Sequence, residues 1–315
     1  MRIKSIVFIA LISLTSFAIG YKGKEFIQKN IYLKVRSHYP KISQYKVTNC
    51  PENAITIAIF GQSNSTNRMT EKSDLSIPSN LYQYDWKSQK CYLYREPLLG
   101  TSGTQGNAIT YTATKLAKNY KKPILIIPFG VGGTSVMEWA YGDLSYQHLI
   151  VMKRIKESSL SPRIFLWHQG ESDSIGSAVS LDQITKASYF RRYFDEVGNW
   201  KGMIPLTEDL YYKALKKVVE STFDSFPQTS FGIALATLCG KNNKPWDPVR
   251  SAQTRITQDL PNSFISGDSD DITGLDKRPD NCHFSAKGAS ELGDLYYESI
   301  TREINQNTLN KKNIK

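Results

Sequence analysis

The chain has 315 residues, 40% of them hydrophobic and 22% charged, with 18 Tyr, 13 Phe and 5 Trp. That is enough to bury a full core, and no segment has the low hydrophobicity and high net charge that would mark a disordered domain. The formal charge of +11 draws anionic partners. Yet the Lys and Arg are spread along the chain, without a zinc-finger or RNA-binding signature. Nucleic acid is therefore not the expected partner, and an acidic polysaccharide, an anionic envelope surface or no specific target stays open.

At the N-terminus, Arg2 and Lys4 precede an apolar run from Ile6 to Ile19, broken by Ser13, Thr15 and Ser16 and followed by Gly20. This is the layout of a secretory signal peptide. The run is short for a membrane span of ~20 residues, but Lys22 and Lys24 disfavour clean cleavage. Residues 1–20 thus read as a signal peptide or a retained membrane anchor. The remainder is expected to be exported, either periplasmic or secreted, with membrane attachment through this segment as the alternative. The four cysteines, Cys50, Cys91, Cys239 and Cys282, contain no C-x-x-C pair. They support no zinc or thioredoxin reading, and an even number in an exported chain permits two disulfides.

Residues 21–50 form a polar, basic approach segment. Residues 54–60 are a β-branched apolar run ending at Gly61, which predicts a buried parallel strand. The Tyr-rich stretch 81–95, with Trp86, predicts a hairpin or an ordered loop. Residues 108–120 have helical spacing. Residues 123–128 are a second strand, leading into Gly130-Val-Gly-Gly133. A helix follows over 149–158, a third strand over 163–167, a long helix over 206–226 and a fourth strand over 229–236. A helix over 248–259, a short strand over 263–266 and a last helix over 285–305 complete the chain. Strands alternating with helices imply an α/β fold in three layers, with a parallel sheet of about five strands covered on both faces. Ligands bind at the carboxyl ends of such strands. Three polar clusters end there: Gly61-Gln-Ser-Asn64, Gly130 to Thr134, and His168-Gln-Gly-Glu171.

Ser63 stands two residues past the first strand, where a strand-to-helix turn would lift its side chain above the sheet and offer N–H groups to developing negative charge. A plain helix cap is the competing reading. Ser269, in Gly267-Asp-Ser269, is a rival nucleophile, but only 13 residues separate it from His283, and they read as loop. Asp268, Asp270 and Asp271 miss the spacing of a calcium loop. A serine needs a base, and the chain has four histidines. His38 lies in the approach segment and His148 on a predicted helix, leaving His168 and His283 on loops. Asp280, three residues before His283, can orient its ring.

Taken together, Gly61-Gln-Ser-Asn64, Gly132-Gly-Thr134 with Trp139, Trp167-His-Gln-Gly-Glu-Ser-Asp173 and Asp280-x-x-His283 resemble the sialate O-acetylesterase and acetylxylan-esterase branch of the SGNH hydrolases. The resemblance spans roughly residues 50–305. It implies Ser63 as nucleophile, His283 as base and Asp280 as its partner. The N–H groups of Ser63 and Gly133, with the Gln169 amide, would form the oxyanion hole. Gln62, Asn64 and Glu171 would support the site, with Asn64 and Arg68 ordering the nucleophile turn. His168 would neighbour the site rather than serve as its base. No metal or organic cofactor is implied.

The expected organisation is therefore an N-terminal signal or anchor (1–20), the approach segment (21–50), one esterase domain (51–305) and a polar tail (306–315). Residues 174–212 are longer than a minimal core needs and would form a lid or a polymer-binding surface. The expected reaction is removal of acetyl groups from an O-acetylated sugar or polysaccharide through an acetyl-serine. An envelope polysaccharide O-acetyltransferase with the same triad and a non-catalytic glycan-binding module are the alternatives. Cys239 follows the fourth strand at the same rim as Cys282, so these two are expected to pair, leaving Cys50 with Cys91.

Overall fold

The computed structural model describes residues 39–174, 206–240 and 244–313. The signal or anchor segment, most of the approach segment and most of the 174–212 stretch lie outside the described residues, as do the last two residues of the tail. The described residues form one compact unit.

In chain order this unit runs β1 (Val47–Thr48), β2 (Ile55–Gly61), β3 (Leu81–Asp85), β4 (Lys90–Leu93), α1 (Ile109–Tyr120), β5 (Ile124–Gly130), α2 (Val136–Tyr141) and α3 (Asp143–Glu157). It continues through β6 (Ile164–His168), α4 (Glu208–Ser225), β7 (Ser230–Leu235), α5 (Asp247–Asp259), β8 (Ser263–Asp268) and α6 (Ala286–Asn313). All eight strands form one sheet in the order β1-β4-β3-β5-β2-β6-β7-β8. The strands from β3 to β8 in that order are parallel. β4 hairpins back on β3, and β1 adds to it antiparallel.

The sheet is thus larger than the five strands expected. The five are present as β2, β5, β6, β7 and β8, and the Tyr-rich stretch adds the hairpin at one edge. α3 starts at Asp143, six residues before the expected Leu149, because Gly142 breaks the chain after a short preceding helix. That helix, α2, was not expected. It opens on a capping box, in which Ser135 Oγ accepts from Met137 N at 3.2 Å and Glu138 reaches back to Ser135 N.

β2 explains the layering. All seven of its residues are buried, and successive side chains point to opposite faces. Ile55, Ile57 and Ile59 join Ile109 and Leu116 of α1 and Leu292 and Tyr296 of α6. Ala58 and Phe60 join Trp139 of α2, Val151 of α3, Leu215 of α4 and Ile256 of α5. Full burial of each such side chain contributes about 1.5–3 kcal/mol, so a strand with two apolar faces is stable only between two helical layers. Disulfides close between Cys50 and Cys91 and between Cys239 and Cys282, the pairing expected, as befits an exported protein. Among the described residues no helix is long and apolar enough to cross a membrane.

Candidate active site

Gly61, at the end of β2, pairs with Gly130 of β5 on one side and His168 of β6 on the other. Its φ is +136°, and a methyl group there would sit 2.0 Å from the His168 carbonyl oxygen. Only glycine lets the strand turn at this point, with Gln62 N donating to His168 O at 3.0 Å. The turn delivers Ser63 into a single 3-10 turn, Ser63–Ser65, closed by Thr66 N on Ser63 O. The expected helix does not open here. The next helix is α1, which starts at Ile109, so no helix N-terminus stands behind Ser63.

His283 lies on the loop between β8 and α6. Its Nδ1 is 2.7 Å from Asp280 Oδ2, while Asp280 Oδ1 accepts from Cys282 N at 2.9 Å and His283 N at 2.6 Å. Burial pushes the Asp280 carboxyl up, but these bonds outweigh it and hold the group below the usual carboxylate range. The loop is anchored from beneath by the Cys239–Cys282 disulfide and by Arg278, whose side chain is buried. The Arg278 guanidinium donates to the carbonyls of Ile272, Leu238, Cys282 and Ser269 and lies 4.0 Å over the Phe284 ring. Nothing in the residue pattern signals this role, because Asp276-Lys-Arg-Pro279 reads as a solvated turn.

Asn64 ties this loop to the Ser63 turn. Its Nδ2 donates to Cys282 O at 3.2 Å and to Glu171 Oε1 at 2.7 Å. Thr70 N adds a bond to Phe284 O at 3.0 Å. The two other described histidines are enclosed. His148 packs against Ser221 and Thr222, and burial pushes its pKa down to about 4. His168, fully buried, meets Tyr296 Oη at 2.6 Å through Nδ1 and Glu171 Oε1 at 3.2 Å through Nε2. His283 is part-exposed, and His38 lies outside the described residues. Ser269 is fully buried and donates to Leu235 O at 2.9 Å. Asp268 and Asp270 grip Arg250, which excludes the calcium-loop reading. No metal-type cluster of three His, Cys, Asp or Glu exists among the described residues.

The glycine loop after β5 faces Ser63. A methyl group on Gly132 would lie 3.7 Å from Ser63 Cβ. The Gly132 N–H is already bonded to Ser102 Oγ at 3.1 Å. The N–H groups of Ser63 and Gly133 have no acceptor among the described residues, and Gly133 holds φ +65°. Gln169 differs from the expectation. It is fully buried, and its Nε2 faces Thr134 O at 2.9 Å, Asp173 Oδ2 at 2.7 Å and Gln62 Oε1 at 3.2 Å. Two amide hydrogens already have three acceptors, so nothing is left for an oxyanion. The expected donor is in this structure a brace between β6 and the glycine loop.

Residues 56–186 match the family described as carbohydrate esterase, sialic acid-specific acetylesterase. Over that stretch the chain is similar to this family. The match covers the Ser63 turn, the glycine loop and Gln169 to Asp173, and it ends before the Asp280–His283 loop. Among solved structures, the chain is similar to a protein from Arabidopsis thaliana at 19% identity and TM-score 0.55, covering 79% of this chain and 98% of that one. It is also similar to a carbohydrate acetylesterase from Xanthomonas citri at 13% identity and TM-score 0.50, covering 77% of this chain and 55% of that one. These likenesses show the three-layer α/β fold. No curated protein sequence matches the chain.

Behind the rim, the esterase carries a polar layer that the sequence did not announce. Gln62 Oε1 accepts from Ser172 N at 3.1 Å. Tyr211 Oη donates to Gln169 O at 2.7 Å, where Gln253 Nε2 also donates at 2.9 Å. Glu171 is fully buried. Burial pushes its carboxyl up, but His168 and the Asn64 amide overcome this and bring it down to about 2. Asp173 goes the other way, with burial dominating the bonds it accepts and raising it to about 6. Its Oδ2 accepts from Val136 N at 2.8 Å while its Oδ1 is buried without a partner.

Proposed function

We propose that the esterase removes acetyl groups from an O-acetylated sugar of a glycan or envelope polysaccharide, with Ser63 as nucleophile, His283 as base and Asp280 as the group that orients it. The observation that carries this is the 2.7 Å Asp280–His283 pair on a loop bonded through Asn64 to the turn of Ser63. The Asp280 carboxylate fixes the proton on Nδ1 and leaves Nε2 as the acceptor.

Ser63 Oγ attacks the acetyl carbonyl carbon as His283 takes its proton. The negative charge then rests on the former carbonyl oxygen, where the free N–H groups of Ser63 and Gly133 stabilise it. Collapse breaks the bond to the sugar oxygen, which leaves with the proton from His283. Water, deprotonated by His283, attacks the acetyl-Ser63 carbonyl, and acetate departs as Ser63 regains its proton. In this mechanism Gln169 acts on the reaction by holding Thr134 and so the conformation of Gly133.

Labelling with a fluorophosphonate, followed by peptide mass spectrometry, tests the assignment. The label is expected on Ser63, and Ser63→Ala is expected to abolish acetate release from an aryl acetate and from acetylated sugars alike. Near-native rates in Ser63→Ala would refute the nucleophile. A screen of acetylated glycans by acetate release tests the substrate.

A further inference from the structure

Asp280 and His283 are joined through Asn281, whose φ of +60° lies in the left-handed region. Apart from glycine, Asn and Asp enter that region most readily, and a branched side chain is a marked outlier there. The other described non-glycine residues with positive φ sit in turns beside strand or helix ends, whereas Asn281 lies inside the loop of the candidate base. Its left-handed step turns the chain so that the next two N–H groups converge. Cys282 N and His283 N both donate to Asp280 Oδ1, at 2.9 and 2.6 Å. Successive N–H groups arranged in this way form an anion-binding concavity. Oδ2 is left for His283 Nδ1, at 2.7 Å. The main chain of Asn281 is itself gripped on both sides. Its N–H donates to Arg278 O at 2.9 Å, and its carbonyl accepts from Gly240 N at 3.1 Å, beside the Cys239–Cys282 disulfide. The Asn281 side chain has no hydrogen-bond partner among the described residues, so what this position supplies is a backbone conformation.

From this geometry we infer that Asn281 is a positioning residue of the reaction: its left-handed conformation builds the concavity that holds Asp280 and so aims it at His283. The inference rests on the proposed roles of Ser63, Asp280 and His283, and it adds a residue that touches neither the substrate nor the reacting atoms. A residue drawn back to right-handed or extended backbone swings Cys282 N and His283 N away from Asp280 Oδ1. The carboxylate, no longer fixed by one oxygen, then loses its line to Nδ1 through the other. His283 in turn loses the bond that sets its tautomer and ring direction. Asn and Gly are the residues that meet the conformation without this penalty. Strain of this kind persists where the surroundings over-determine it, as the bonds to Arg278 and Gly240 do here.

The test is a series at position 281 in the full chain, with kcat and KM for an aryl acetate and Tm measured for each variant. Asn281→Gly keeps the conformation and removes the side chain, and is expected to hold kcat within about twofold of native. Asn281→Ala is expected to lower kcat about fivefold, and Asn281→Val, with its branched Cβ, about thirtyfold. KM should change little in all three, because the loop acts on the base and not on substrate binding. A purely structural residue would move Tm and leave kcat in place. Native kcat in both Asn281→Ala and Asn281→Val therefore overturns the inference, whatever their Tm. Should Asn281→Val fail to fold, Asn281→Ala against Asn281→Gly carries the same comparison. An Asn281→Gly that falls as far as Asn281→Ala also overturns it, since the side chain and not the backbone would then matter. Asp280→Asn in the same assay separates the two levels. If it is impaired while the series is not, only the inference falls; if it too keeps native kcat, the proposed role of Asp280 falls with it.

Discussion

Replacing Asp173 by Asn removes a buried ionisable group while keeping its shape. Burial raises the Asp173 carboxyl from 3.8 to about 6 in the folded protein, and the unfolded chain returns it to its ordinary value. Below that ordinary value both states are protonated and the group has no effect. As pH rises toward 6, the unfolded state ionises first, and stability falls until the folded state ionises too. Above 6 the loss is constant. A displacement of about two units corresponds to roughly 3 kcal/mol, as an order of magnitude. In Asp173→Asn the amide oxygen can still accept from Val136 N and Gln169 Nε2. The new NH₂ replaces the unpartnered Oδ1, and any penalty it brings is the same at every pH. The clear readout is therefore the difference between stabilities at pH 4 and pH 8. Urea unfolding at both values should show the native protein losing stability on this account across the window and the variant free of that part. The reasoning fails if the two proteins have parallel profiles from pH 4 to 8.

Asp280→Asn should lower kcat on an aryl acetate by about 10³-fold or more. Asp280 accepts from two backbone N–H groups and one ring nitrogen, so an amide must turn its NH₂ against one side or the other; a kcat within tenfold of native would exclude this role. His283→Ala should be as damaging, while His168→Ala should act mainly on thermal stability, measured as Tm. Opposite rankings would move the base. Serines at both Cys239 and Cys282 should cost up to about 4 kcal/mol, the closure entropy for a sequence separation of 43 residues, and should lower kcat by freeing the His283 loop. Unchanged kcat in variant that has lost stability would detach the bridge from catalysis. Gly61→Ala should cost about 3 kcal/mol or more, since both its φ and the His168 carbonyl forbid a side chain. Soluble protein of native stability would refute that.

Much of this architecture could be read from residue pattern. Ile55 to Phe60 and Ile124 to Phe129 are continuous apolar runs because they are buried on both faces, and such runs survive without periodicity. The hairpin strand β3 was harder, because Leu-Tyr-Gln-Tyr-Asp mixes aromatic and polar residues, with Gln83 bonding inward to Leu93 O, Arg95 O and Leu99 N. The two-residue β1 and six-residue α2 are too short to carry a pattern at all. At the site, Asp280-x-x-His283 was legible because both groups lie on one local turn. Gln169 was not, since the direction of its amide depends on Thr134 and Asp173, which only tertiary packing brings to it. Arg278 illustrates the same limit: a charged residue in a polar stretch is buried because four carbonyls from three separate segments converge on it.

The strand order also bears on when the chain can fold. β2 is one of the two central strands, yet its first partner begins at Ile124 and its second at Ile164. The sheet cannot close around it until more than half the chain has been made, and β7 and β8 come later still. Such long-range parallel pairing is slow because loop closure precedes the gain from contacts. A nascent chain of this topology stays unfolded for a comparatively long time after its N-terminus emerges. That delay exposes the apolar run at 55–60 to aggregation in the interval.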